Sequence, residues 1–214
     1  MNYLAHLYLS FGNDEVLVGN FIADKVKGRQ VLDYPPGIQK GIVLHRRIDS
    51  FTDNHPIAGR SKARIRARYG KFSGIVVDMY YDHFLSVKWE EFSAVPFLQF
   101  TRNSYKTLFR YYFIMPPRLK RILPWMAAGN WLFSYRKVEN IGLALEGMSS
   151  RINVDSGIEN GATELKLYYE ELRQDFEEFF PLLVAYAQEM LQQLDDLKLP
   201  EKSLPHDRDN DFAG

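Results

Sequence analysis

The stretch DMYYDHFL, residues 78–85, sets two acids and a histidine among aromatic and aliphatic side chains. In a helix Asp78 and Asp82 lie on one face, because they are four residues apart, and their like charges repel by roughly 0.2–0.5 kcal/mol in water. Burial strengthens the repulsion, whereas a bound cation or a shared proton relieves it. We therefore predict a helix here that carries a functional site, with Asp78 and Asp82 facing inward beside Ile75 and Leu85.

The rest of the chain shows the same helical periodicity. Apolar residues recur at three- and four-residue spacing, whereas alternating runs joined by Asn-Gly or Asp-Gly turns are missing. Prolines and Gly70 mark the boundaries, and Pro181 predicts a kink or break in the last segment. The sequence thus predicts an all-α, single-domain helical bundle, with helices at about residues 2–10, 14–27, 37–51, 56–68, 73–89, 97–114, 117–134, 137–152 and 162–198.

Length and composition set further bounds. A chain of 214 residues with 46% hydrophobic content can form one packed domain, which we assign to residues 1–200, followed by a polar, flexible tail at 201–214. No run of about eighteen apolar residues and no signal-peptide pattern is found, so we expect a cytoplasmic protein that does not enter a membrane. Because the chain contains no cysteine, a metal ion must have imidazole, carboxylate or water ligands.

Charge is divided unevenly along the chain, although the formal net charge is zero. Residues 1–154 carry 22 basic and 12 acidic residues, a balance of +10, whereas residues 155–214 carry 5 and 15, a balance of −10. The spans 60–71 and 92–138 contain six and eight basic residues, respectively, and no acid. This pattern favours a polyanionic partner, with solvated helix faces as the simpler alternative. The candidate docking residues are Arg60, Lys62, Arg64, Arg66 and Arg68.

Acids and imidazoles recur in segments that are otherwise apolar. His6 lies in YLAHLYL, where a hydrogen-bonded core histidine is the simpler interpretation. Asp24 ends the apolar run VLVGNFIAD and needs a cation, a donor or a metal, with an ion pair to arginine as the alternative. His45 and Asp49 are four residues apart, so both can reach one ion, or Asp49 can orient the imidazole.

Further residues extend this candidate site. His83 follows Asp82 about 100° around the helix, and adjacent residues can still converge on one metal. Arg46 and Arg47 can hold a phosphate, because guanidinium groups match phosphate geometry. The segment TDNHP, residues 52–56, instead predicts the end of one helix and the cap of the next. Five or six inward acids and imidazoles on four helices are difficult to explain by packing, so we predict a metal site.

The same residues lie in blocks that resemble a known family. The blocks MNYLAHLYLS, GNFIADKVKG, GIVLHRRIDSFTDNHP and RYGKFSGIVVDMYYDHFLSVKW occur in this order and cover residues 1–89 well. Together they resemble the bacterial acyl carrier protein phosphodiesterases, a divergent branch of the HD-type metal-dependent phosphohydrolases. The order Asp82-His83 is the reverse of the usual histidine–aspartate dyad, so ligand assignments from other HD enzymes do not transfer directly.

The resemblance implies an HD-phosphohydrolase-like fold and an enzyme that releases phosphopantetheine from holo acyl carrier protein, giving the apo form. A water activated by a divalent metal would cleave the phosphodiester to serine, with Mn²⁺ preferred over Mg²⁺ or iron. An acidic carrier protein also suits the basic spans. The implied metal ligands or their immediate partners are His6, Asp24, His45, Asp82 and His83. The implied catalytic residues are Asp24, Asp78 and Asp49, and the implied phosphate-binding residues are Arg46 and Arg47.

Two other functions agree with these residues. An HD-like phosphohydrolase of a nucleotide or another small phosphoester would use the same metal site. A non-catalytic helical module that binds an acidic protein would use only the basic spans, and nucleic acid is the weaker candidate partner. An assay for release of phosphopantetheine distinguishes the carrier-protein enzyme from the small-phosphoester enzyme. Measurement of bound metal distinguishes both enzymes from the non-catalytic module. The sequence does not predict the oligomeric state.

Overall fold

The computed structural model describes residues 1–151 and 154–196, and these residues form α-helices joined by short turns, with no β-strand among them. Several connections are 3-10 turns. The helices are α1 (Tyr3–Tyr8), α2 (Asp14–Ile22), α3 (Pro36–Asn54), α4 (Pro56–Tyr69), α5 (Ser73–Val87), α6 (Trp89–Phe92), α7 (Phe97–Arg110), α8 (Pro117–Ala128), α9 (Trp131–Ser134), α10 (Val138–Ser149), α11 (Gly161–Leu167) and α12 (Tyr169–Asp196).

The predicted all-α class is confirmed, but the helix predicted at 117–134 separates at Gly129 and Asn130 into α8 and α9. The predicted last helix is also divided differently. It is interrupted at Tyr168, between α11 and α12, whereas α12 continues through Pro181, so a break at that proline was the wrong expectation. The side chains of Phe180 and Leu183 on either side are fully buried, and their packing holds the helix together where proline removes a hydrogen bond. The likeness to HD phosphohydrolases stays a prediction, and the predicted tail lies outside the described residues.

The contact between α2 and α3 brings Asp24 to His45. Gly19 and Gly41 face each other in this contact, and a Cβ on either glycine would collide with the backbone of the opposite helix. The two helices therefore approach to backbone distance, which side chains would prevent. Asp24 follows α2 in a 3-10 turn and lies beside His45 of α3.

The N-terminus of α1 is held by a carboxylate of the central helix α5. Asp82 is fully buried, and its two oxygens accept hydrogen bonds from the backbone N–H groups of Leu4 (2.8 Å) and Ala5 (3.1 Å). These belong to the first N–H groups of a helix, which have no partner inside it. Asp82 thereby fixes the position of α1 and of His6, which α1 carries.

The buried hydrophobic side chains form one cluster, to which helices from α1 to α12 contribute. Leu4, Ile42, Phe84 and Phe176, on four different helices, are all inaccessible to solvent. The helices that carry the candidate residues therefore share one core. Within residues 1–151 and 154–196, none of the helices combines the length and apolar character needed to cross a membrane.

Candidate metal centre and its cavity

Two imidazoles and a carboxylate meet where α1 packs near α3. The rings of His6 and His45 stack with their centroids 3.8 Å apart. One carboxylate oxygen of Asp49 is 3.1 Å from Nε2 of His6, and the other is 3.1 Å from Nε2 of His45. One ligand atom from each of these residues lies within 4.8 Å of the others. We call His6, His45 and Asp49 the histidine cluster.

Two further carboxylates flank the histidine cluster. Oδ1 of Asp24 is 3.2 Å from Nε2 of His45, and its side chain is 59% exposed, although the apolar run before it indicated a buried position. Asp78 contacts the α-amino group of Met1 at 3.1 Å, and the same amino group is 3.3 Å from Asp49. The expectation that Ile75 faces inward was wrong, because its side chain is 41% exposed and lines a cavity.

The two histidines prefer opposite protonation states. Burial, together with the neighbouring His45, lowers the pKa of His6 to about 4. Burial also acts to lower the pKa of His45, but hydrogen bonds to Asp24 and Asp49 outweigh it and raise that pKa to about 9. Burial opposes ionisation of Asp49, yet hydrogen bonds with both imidazoles bring its pKa below the ordinary value. At neutral pH the metal-free protein thus holds a neutral His6 beside a charged His45.

The histidine cluster fits a divalent metal ion. Both Nε2 atoms approach the same carboxylate, and a cation placed there would take over the role of the proton on His45. Two imidazoles with carboxylates suit ions such as Mn, Fe or Zn. The Nδ1 atoms of His6 and His45 are buried and have no hydrogen-bond partner in the part of the chain that the structure describes. Ring stacking and Asp49, rather than outer hydrogen bonds, therefore orient the two rings.

Asp82 and His83 are not brought to the histidine cluster. Asp82 accepts the two hydrogen bonds from α1, and burial raises its pKa to about 7. Nδ1 of His83 is 2.7 Å from the carbonyl oxygen of Tyr135, and its Nε2 is 3.1 Å from the hydroxyl of Tyr169. His83 thus links α5 to α12 and to the segment after α9. Their contacts are those of residues that hold the fold.

A cavity of about 790 Å³ adjoins the histidine cluster. Its wall includes Asp24, which contacts His45, and Met1, whose amino group contacts Asp49. Asp78 also lines it. Most of the remaining wall is apolar and comes from α5, α8 and α10, with the side chains of Ile75, Leu119, Ile122, Leu143, Ala144 and Met148. The cavity can therefore hold a largely uncharged group beside the histidine cluster.

The basic side chains beside this cavity are different from those that the sequence indicated. Arg46 donates a hydrogen bond to the carbonyl oxygen of Val26 at 2.9 Å, and neither Arg46 nor Arg47 lines the cavity. Lys25, Arg118 and Arg151 do line it. Sequence reasoning missed these three because they are far apart along the chain. For Lys25 alone a signal was present, since it directly follows Asp24.

The predicted docking residues of α4 are mostly paired within the chain. Arg60 and Arg64 both contact Asp175 of α12, with nearest N···O distances of 2.6 and 3.3 Å. Arg68 pairs with Glu164 and Lys62 with Asp53. Arg66 has no ion pair among residues 1–151 and 154–196, and its side chain is exposed. The acidic C-terminal region therefore neutralises much of this helix.

The family model and the individual relatives that match this chain carry the same description. A sequence model of the family described as "Acyl carrier protein phosphodiesterase" matches residues 1–183. Relatives named acyl carrier protein phosphodiesterase from Enterobacter sp. (strain 638) and Salmonella agona (strain SL483) are 33% and 32% identical over 188 residues. Each alignment covers 87% of this chain and 97% of the relative. No solved structure matches the chain significantly.

Proposed function

Because the chain belongs to the acyl carrier protein phosphodiesterase family, we propose that it hydrolyses the phosphodiester between phosphopantetheine and a serine of holo acyl carrier protein. Water adds to phosphorus, the bond from phosphorus to the serine oxygen breaks, and that oxygen takes up a proton. The products are apo acyl carrier protein and phosphopantetheine. The observation that carries the proposal is a metal-competent histidine cluster beside a large cavity. We propose that the protein acts in the cytoplasm and that residues 1–200 form one domain.

We assign metal binding to His6, His45 and Asp49, with Asp24 beside them. The ion is divalent, and we propose Mn²⁺ from the mixture of imidazole and carboxylate ligands. When bound, such an ion supplies charge that polarises a phosphoryl oxygen and makes water more acidic. The positive charge that His45 carries in the metal-free protein is lost on binding, because the Nε2 lone pair is needed.

The carboxylates that face the cavity supply the proton transfers. In the metal-free protein the hydrogen bond from His45 lowers the pKa of Asp24, and the charge of a bound ion would likewise keep this exposed carboxylate ionised, so that it can accept a proton from the attacking water. Burial raises the pKa of Asp78 above its ordinary value, although the ion pair with the Met1 amino group acts in the opposite direction. Asp78 is therefore our assignment for the acid that protonates the leaving serine oxygen. Asp49 keeps the two imidazoles oriented.

Positive side chains and the apolar wall position the substrate. Lys25 and Arg118 line the cavity that Asp24 also lines, and we assign them to the phosphate in preference to Arg46 and Arg47. The uncharged pantetheine arm then lies along the apolar wall. This arrangement fixes phosphorus next to the histidine cluster while the carrier protein stays outside the cavity.

The direct test is incubation of the protein with holo acyl carrier protein and Mn²⁺, followed by mass spectrometry of the carrier. We expect loss of the phosphopantetheine mass, and an Asp24→Ala variant that is slower by about 100-fold or more. A panel of nucleotides serves as the rival substrates. An unchanged carrier mass together with cleavage of a nucleotide would establish the small-phosphoester alternative instead.

The role of the cavity is tested by filling it. Gly147 of α10 lines the cavity, and a side chain there would enter open space. We expect Gly147→Phe to lower kcat/KM for holo carrier protein by about tenfold or more, because the phenyl ring would occupy space that we assign to the pantetheine arm. Gly59→Phe on α4 is the matched control, since Gly59 also faces open space but does not line the cavity. Equal activity of the two variants would contradict this role.

A further inference from the structure

The acid-free span 92–138 exposes basic side chains that the fold does not neutralise. Arg102, Lys106, Arg118 and Arg121 are exposed and form no ion pair with any described residue. By contrast, Arg110 pairs with Asp14 at 2.5 Å and Arg136 with Glu90 at 3.5 Å. Within this span, the exposed basic side chains without an ion pair to a described residue are therefore those of α7 and α8, together with Lys137 before α10.

Large apolar side chains are exposed in the same region. Trp125 of α8 is 72% exposed and Phe113, just before α8, is 87% exposed. Arg118, Arg121 and Trp125 follow each other at spacings of three and four residues, so they share one face of α8. The Lys120 ammonium donates a hydrogen bond to the carbonyl oxygen of Phe113 at 2.6 Å, which holds the Phe113 segment against α8. Exposed aromatic side chains beside arginine are typical of protein-binding surfaces.

This face of α8 borders the cavity. Arg118 lines the cavity together with Leu119 and Ile122, which follow on the same helix. Tyr3 and Asp24 line the same cavity as Arg118. A macromolecule whose phosphodiester lies at Asp24 therefore has α8 as a neighbouring surface.

We propose that Arg118, Arg121, Trp125 and Phe113 form the docking surface for the acidic carrier protein. The inference rests on the proposed function and names where its substrate binds. The basic side chains meet acidic side chains of the carrier, and the two aromatic side chains pack against an apolar patch between them. Arg60, Arg64 and Arg68 of α4 do not serve this purpose, because α12 and α11 already supply their acidic partners.

The test compares the same charge reversal on two helices. Arg121→Glu changes the proposed surface, and Arg66→Glu changes the unpaired arginine of α4. Each variant is assayed with holo carrier protein and with bis(4-nitrophenyl) phosphate, a small diester that does not need docking. We expect Arg121→Glu to lower the ratio of kcat/KM for carrier to kcat/KM for the small diester about tenfold, through a higher KM for the carrier. Arg66→Glu should change this ratio less than about twofold.

Two further measurements complete the test. Trp125→Ala removes apolar contact without changing charge, and it should also weaken carrier binding measured by fluorescence anisotropy with labelled holo carrier. A larger effect of Arg66→Glu than of Arg121→Glu, or wild-type affinity in both α8 variants, would overturn the docking proposal. A wild-type protein that binds the carrier through Arg121 without releasing its arm would instead contradict the proposed function and leave the docking surface standing.

Discussion

Two groups of acids and imidazoles in this fold, the histidine cluster and the pair Asp82 and His83, differ in what surrounds them. In the histidine cluster, the Nε2 atoms of His6 and His45 approach one carboxylate, and both Nδ1 atoms lack partners among the described residues. In the second group, the polar side-chain atoms of Asp82 and His83 form hydrogen bonds with backbone groups and with one tyrosine hydroxyl. The residue types are alike, and of these residues only the Asp49 side chain, 37% exposed, is not buried. The comparison indicates that ring nitrogens converging on one shared carboxylate, rather than buried polar residues as such, are what make the histidine cluster a candidate metal site.

The largest expected effect is the loss of hydrolytic activity when a residue of the histidine cluster is replaced. His45→Ala removes an imidazole that contacts both Asp24 and Asp49. We expect hydrolysis of holo carrier protein to fall by more than about 100-fold, beyond the loss typical for an outer partner of a metal ligand. Circular dichroism should still show a folded, helical protein. Activity within about threefold of wild type would place the metal elsewhere.

The next expected effect is a dependence of metal affinity on pH, which we predict for the histidine cluster only. In the metal-free protein the pKa of His45 is about 9, so below that pH a proton must leave before its Nε2 can bind an ion. Apparent Mn²⁺ affinity should therefore rise about tenfold per pH unit, or about 100-fold from pH 6.5 to 8.5. Calorimetry under nitrogen, in buffers of different ionisation enthalpy, should show release of about one proton. An affinity independent of pH would contradict the assignment.

A smaller effect is expected from the second group, and it concerns stability. Asp82→Asn leaves one oxygen acceptor where two N–H groups of α1 need partners, and it turns an amide donor toward one of them. We expect the free energy of unfolding in urea to fall by about 1–3 kcal/mol. Asp53→Asn, at an exposed surface pair with Lys62, is the control and should change it by less than about 0.5 kcal/mol. Equal values for both variants would show that Asp82 does not anchor α1.

The sequence was sufficient for the fold class and for most of the histidine cluster. Periodicity and proline positions predicted the helices, and His6, His45, Asp49 and Asp24 were recognisable as polar residues in apolar settings. Helical spacing alone placed His45 and Asp49 together. The cap at His55 was also confirmed, since its ring accepts a hydrogen bond from the N–H of Ile57.

What the sequence could not supply was the pairing between distant segments. It did not show that backbone N–H groups of α1 would occupy Asp82, or that Arg118 would line the same cavity as Asp24. The opposite net charges of residues 1–154 and 155–214 did not indicate that Asp175 would neutralise Arg60 and Arg64. These contacts depend on tertiary packing, which local patterns do not encode.

We propose that the histidine cluster, rather than Asp82 and His83, holds the metal. Equilibrium dialysis of Mn²⁺ against metal-stripped wild type, His6→Ala and His83→Gln tests it directly. We expect about one equivalent of bound Mn²⁺ for wild type and for His83→Gln, and less than about a tenth of an equivalent for His6→Ala. Full binding by His6→Ala together with loss of binding by His83→Gln would contradict it.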